Sequence, residues 1–191
     1  MKVKYCRNCG SKSLKNLFSL GNLSFTGKFP KNKKTNIPKT EIELDICKNC
    51  NLVQINKKFD LKYMYNQDYG YRTGINSTMT LHVRNVVNEL SKKIKFKRKD
   101  VVLDIASNDA TLLNFYNKKL VRIGVDPLAK KYKNFYKDIN YYYSNFFKKD
   151  LLPAHIIKKK IKAITAFSVF YDLENPNLFL KDISEIIDRK R

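Results

Sequence analysis

The spacing of apolar and polar positions changes rhythm along the chain. From 41 to 46 the order Glu-Ile-Glu-Leu-Asp-Ile alternates as a half-buried strand does, and residues 51 to 55 follow as its hairpin partner. Upstream, Leu17, Phe18, Leu20, Gly21, Leu23, Phe25 and Gly27 make an extended stretch with turn residues. Residues 31 to 39, running from Lys31 and flanked or interrupted by Pro30, Asn32 and Pro38, read as a solvated loop. The period then lengthens: Met79, Leu81, Val83, Val86, Val87, Leu90 and Ile94 supply much of one helical stripe from Ser77 to about Lys97. Beyond it, short apolar runs at 101–105, 121–125, 141–144 and 161–167 alternate with helical stretches near 109–118, 128–137, 148–160 and 175–188. Strands and helices in that order predict an α/β class with a parallel, doubly wound sheet.

The run VVLDIASNDATLL at 101–113 reads as strand, tight loop, helix. A second strand ends the same way, in Asp126 before Pro127, roughly 20 positions after Asp104. That is the length of one strand-helix-strand unit, and a ligand in an open α/β sheet lies at the carboxyl ends of the strands. A nucleoside is the ligand this implies, Asp126 accepting its ribose hydroxyls. The other reading of the two acids is that they only cap turns.

All four cysteines fall in two C-x-x-C knuckles, Cys6/Cys9 and Cys47/Cys50. Two thiolates at that spacing grip one ion from one turn, and two such pairs complete a tetrahedral zinc site with no open position for catalysis. A redox or disulfide pair is the competing reading of a C-x-x-C. The domains expected are a zinc-binding unit at 1–60, an aromatic bridge and helix at 61–98, and a partial Rossmann-like domain at 99–191. In the bridge, Tyr69 and Tyr71 either line a substrate pocket or pack. His82, alone on its helix, and His155, without a visible partner, carry no assigned chemistry.

Composition changes this picture little. Hydrophobic residues make up 43% and aromatic ones 13% of 191 residues, enough for a core. No apolar run of roughly 18 residues suggests a membrane span, and the first residues lack the apolar core of a signal peptide, so the expected location is the cytoplasm. The net charge of +22 raises nucleic acid as a partner. The lysines are scattered, however, and arginine, the residue with the bidentate fork for phosphates and bases, is sparse. Solvated lysine is therefore the preferred account, although the charge could help hold an anionic, diphosphate-bearing substrate.

The knuckles, the aromatic bridge with its helix, D-I-A-S-N-D-A-T-L-L at 104–113, G-V-D-P at 124–127 and F-Y-D-L-E-N-P at 170–176 together resemble the zinc-containing sugar C-methyltransferases. These class I, S-adenosylmethionine-dependent enzymes methylate a carbon of a nucleotide-linked deoxysugar. The resemblance implies S-adenosylmethionine at Asp104, Ala106, Ser107, Asn108, Asp126 and Phe167. It implies a nucleotide-sugar substrate near Tyr69 and Tyr71, and Zn2+ on the four cysteines. Alanine at 110 departs from the family's glycine: it costs nothing in a first helical turn and is strained if the position needs a positive φ. The family continues into further strands and a C-terminal domain with catalytic and substrate residues. On that basis the chain is expected to be truncated or one half of a split enzyme, its strand 161–167 an apolar edge open to a second chain that supplies the remainder. No general base is assigned. The alternatives are a zinc-knuckle nucleic-acid-binding module and an inactive fragment.

Overall fold

A computed structural model describes residues 2–24, 30 and 32–188. The chain divides into two compact units, Met1–Tyr71 with Glu174–Asn177, and Arg72–Leu173 with Leu178–Arg191. Phe25, Gly27 and Lys31 of the expected extended stretch and loop lie outside the described residues.

The first unit is built on a three-stranded antiparallel sheet in the order β1 (Leu14–Ser24), β2 (Lys39–Cys47), β3 (Val53–Ile55). Its register pairs Leu14 with Cys47 and Leu44 with Ile55, with irregularities between Asn16 and Phe18 and between Ser19 and Asn22. Its buried positions are largely polar. Asn56 donates to Glu43 Oε2 at 2.8 Å and to Asp45 Oδ1 at 3.3 Å, and Asn16 donates to the same Asp45 oxygen at 3.1 Å. Asp45, Gln54 and Asn56 are all buried, while Leu17, Phe18, Leu20 and Leu23 of β1 are exposed. So small an apolar interior leaves most of the stabilisation to other interactions.

The second unit carries a four-stranded, all-parallel sheet in the order β6-β5-β4-β7, formed by β4 (Val101–Ile105), β5 (Val121–Val125), β6 (Tyr141–Tyr143) and β7 (Ala163–Ala166). The mixed α/β class and the parallel sheet are therefore as the sequence implies. On one face Val101, Leu103, Ile105, Ile123 and Val125 pack against Leu152, Ile156, Ile161, Phe179 and Ile186. Of these, Ile156 comes from α3 (Ala154–Lys159), and Phe179 and Ile186 come from α4 (Pro176–Ile186). The other face meets α2 (Thr111–Phe115): a Cβ added at Gly124 would lie 3.1 Å from Leu113 Cδ1 and 2.7 Å from the Tyr136 ring. With Ser107 Oγ at 2.8 Å as well, Gly124 is small because three side chains occupy the space above it.

Element ends follow local chemistry. Helix α1 (Ser77–Lys93) starts where Asn76 accepts the Met79 N–H at 2.9 Å, an N-cap bond. The expected helix over 148–160 is broken, because Leu152 precedes Pro153 and is held extended, leaving a 3-10 turn at Lys149–Leu151 and then α3. The expected helix at 128–137 is replaced by turns and a 3-10 segment, Lys133–Tyr136. Here a tertiary contact decides: the buried Tyr136 hydroxyl donates to Asn108 O at 2.8 Å and lies 2.8 Å from Ser107 Oγ. β7 is the edge strand of the sheet, as expected at 161–167. Just ahead of it the chain leaving α4 pairs with Ile161, whose N–H donates to Ile186 O at 2.9 Å and whose carbonyl accepts Asp188 N–H at 2.8 Å. Among the described residues no helix is long and apolar enough to cross a membrane.

Candidate functional site

The carboxyl ends of β4 and β5 are joined by one hydrogen-bonded loop. Asp104, in register with Thr165 of β7, accepts that residue's hydroxyl at 2.6 Å. Asp126 accepts two backbone donors, Asn108 N–H on Oδ2 at 2.8 Å and Leu128 N–H on Oδ1 at 2.6 Å. Ala106 N–H and Ser107 N–H both reach Val125 O, at 2.8 and 3.3 Å. Asp104, Ala106, Ser107, Asn108 and Asp126 therefore converge at adjoining strand ends. Burial pushes the Asp104 carboxyl up to about 7, against the Thr165 hydrogen bond and with help from the Asp126 charge. Burial also raises Asp126, while the Leu128 and Asn108 amides pull it back. Phe167 follows β7, and its ring meets the His82 ring edge-on at 5.6 Å. Tyr69 and Tyr71 belong to the first unit, their rings 6.5 Å apart.

The loop is held by residues that spacing alone does not single out. Asp109 Oδ2 accepts Gly74 N–H at 2.9 Å, and its Oδ1 accepts the Thr111 hydroxyl at 2.5 Å. Asn108 Oδ1 accepts Thr73 N–H at 2.8 Å, and Arg72 Nε stands 3.6 Å from Asp109 Oδ2. A Cβ at Gly74 would sit 2.8 Å from both Asp109 Oδ2 and Thr111 Oγ1, so glycine is what lets this turn approach. A glycine ahead of a helix with no turn pattern of its own was the available signal.

Ala106, Asn108 and Ala110 have φ of 58, 48 and 60°, all left-handed. The strained alternative for Ala110 is the one realised, and Ala106 shares it. A left-handed L-residue costs about 1–2 kcal/mol. Ala106→Gly is expected to stabilise the sheet unit by about 1 kcal/mol, after the entropy glycine loses on folding, and so to raise its urea midpoint. Ala110→Gly gains less, because its fully buried methyl is given up.

In the first unit the two knuckles are built alike. Cys6 N–H donates to Ser11 O and Cys47 N–H to Leu52 O, while Gly10 N–H returns to Cys6 O and Asn51 N–H to Cys47 O, all between 2.8 and 2.9 Å. Gly10 and Asn51, at matching places, take φ of 74 and 60°. The four sulfurs lie within 4.8 Å of one another, with Cys6 to Cys50 at 3.5 Å and Cys9 to Cys47 at 3.6 Å. All four are free thiols. A tetrahedral ion with Zn–S bonds of about 2.3 Å requires sulfurs about 3.8 Å apart, so the donor set fits.

The family model Methyltransf_13, described as "Putative zinc binding domain", matches residues 6–65. Its span contains both knuckles and all of β1, β2 and β3. The N-terminal unit is a zinc-binding domain. The matching model is methyltransferase-associated by name. No curated protein matches the chain.

The thiols of the zinc-binding domain are poised unequally before any metal charge is added. Burial pushes Cys6 up to about 11. Cys9, exposed, is drawn down to about 6, first by the Asn49 side chain and then by the backbone at Ser11. Cys50 is drawn down by the Leu52 backbone and then by Asn8. The segment Glu174–Asn177 also belongs to this unit. Glu174 stands 3.4 Å from Lys58 Nζ, and Asn177 Nδ2 donates to Asn8 O at 2.7 Å. Part of the F-Y-D-L-E-N-P motif thus belongs to this unit, and Asn177, the residue just after it, holds the first knuckle, which the sequence does not reveal.

Proposed function

We propose that the chain binds S-adenosylmethionine at the ends of β4 and β5 and serves methyl transfer to a carbon of a nucleotide-linked deoxysugar. The observation that carries this reading is the pair of adjacent parallel strands with Asp104 near the end of one and Asp126 just past the end of the other, bridged by the Asn108 N–H bond to Asp126. The methyltransferase-associated zinc-binding domain ahead of them supports it. On this reading the sheet is part of a Rossmann-like class I methyltransferase fold.

The residues fit such a ligand. A carboxylate offers about four lone-pair sites, and Asp126 uses one on each oxygen for backbone donors, so each oxygen keeps capacity for a ribose hydroxyl. Asp104, kept protonated by burial up to about pH 7, would ionise beside the ammonium group of the methionine moiety, which would lie along Ala106, Ser107 and Asn108. Phe167 would border it. S-adenosylmethionine supplies an electrophilic methyl group on a sulfonium; the residues named here bind and orient it. Tyr69 and Tyr71 are the proposed contacts for the sugar or base. The zinc is structural, because four thiolates close its coordination. The edge strand β7 is where we propose that a second chain adds strands. Four free cysteines suit a reducing compartment such as the cytoplasm.

Calorimetric titration with S-adenosylhomocysteine tests the assignment. Asp126→Ala is expected to weaken binding about tenfold or more, the loss of one charge-assisted hydrogen-bond acceptor.

A further inference from the structure

The asparagine just before the second cysteine of each knuckle reaches across to the other knuckle. Asn8 Nδ2 lies 3.6 Å from Cys50 Sγ, and Asn49 Nδ2 lies 3.5 Å from Cys9 Sγ. The exchange is reciprocal, and it is selective. The receiving sulfurs belong to the exposed Cys9 and the half-buried Cys50, while Cys6 and Cys47, both buried, receive neither side chain. Both asparagines are held in place by their backbones: Asn8 O accepts Asn177 Nδ2 at 2.7 Å, and Asn49 N–H donates to Cys47 Sγ at 3.4 Å.

We propose that Asn8 and Asn49 are positioning residues of the zinc site that stabilise and shield the two solvent-facing thiolates, each across the knuckle boundary. Four thiolates on Zn2+ leave a net negative cluster, and its outward sulfurs are where protons, competing chelators and electrophiles arrive. An amide N–H aimed at such a sulfur offsets part of that charge without replacing the ligand. Because each amide comes from the opposite knuckle, the pair also ties the two turns together independently of the metal. Outer-shell donors of this kind commonly change metal affinity 10- to 100-fold.

The test uses the zinc-loaded full chain in equilibrium competition with the chelating dye 4-(2-pyridylazo)resorcinol. Asn8→Asp and Asn49→Asp keep the shape but set a carboxylate against the thiolate, and each is expected to weaken zinc binding by about tenfold or more. Lys93→Ala, at the end of α1 in the other unit, is expected to leave affinity unchanged. A structural defect is separated by mapping iodoacetamide alkylation in Asn8→Ala and Asn49→Ala. The proposal requires a crossed pattern, faster modification of Cys50 in the first variant and of Cys9 in the second. Unchanged affinity in both Asp variants, or alkylation rising equally at all four cysteines, overturns it.

Discussion

Removing zinc, or replacing Cys47 with serine, is expected to unfold the N-terminal unit while β4 and β5 stay protected. The reason lies in what this unit buries. Its fully buried apolar side chains are few, Val3, Cys6 and Cys47 among them, and β1 exposes Leu17, Phe18, Leu20 and Leu23. Ordering each residue costs about 1–2 kcal/mol of backbone entropy, which so thin a core does not offset. The polar group at its centre cannot supply the difference, since Asn56 Oδ1 is buried without a partner among the described residues. A four-cysteine zinc site can, because its binding free energy is about 10–16 kcal/mol in isolated zinc-finger peptides and is folding free energy there. Hydrogen exchange read by mass spectrometry before and after chelation measures this. Loss of protection across β2 and β3 with retention in β4 and β5 is the expected pattern; unchanged protection of β2 in metal-free protein would count against it.

The second large effect is expected at Asp104. Its folded-state value of about 7 lies above the ordinary 3.8 because burial disfavours the charged form. The sign follows from linkage. Below about pH 4 the carboxyl is protonated in both states and carries no penalty. As pH rises toward 7 the unfolded chain releases the proton first, so the folded state loses relative stability, and above that range the loss is constant. Three pKa units correspond to about 4 kcal/mol, an upper bound for this site. Asp104→Asn, of the same shape and retaining an acceptor for Thr165, removes the titration. Urea unfolding of wild type and variant at pH 4.5 and 7.5 should show the difference in stability moving in the variant's favour at the higher pH. A constant difference would mean that Asp104 is not held protonated by burial.

What could be read from the sequence was whatever depends on near neighbours. The knuckles are legible because four ligands at fixed short spacing determine the chemistry. β4 and β5 are legible because a short, mostly apolar run that leads into an acid and a turn has few other uses in a sheet buried on both faces. The partners that hold the loop are of another kind. Asp109 and Gly74 lie far apart in sequence, and neither type announces the other. Tyr136 turned an expected helix into a 3-10 segment through its bond to Asn108 O, a contact no local propensity encodes. Asn8 and Asn49 sit inside the motif itself, yet the direction of their amides is a property of the folded knuckles. Alanine at 110 shows the limit from the other side: it suits a helical first turn or is strained in a left-handed one, and only its φ of 60° separates the two.

The most direct test of the methyl-donor site is calorimetric titration of the zinc-loaded chain with S-adenosylhomocysteine, run beside Asp126→Ala. The account predicts saturable one-to-one binding by the wild type and a loss of about tenfold or more in the variant. No heat of binding with the wild type, or equal affinity in the two proteins, would contradict it.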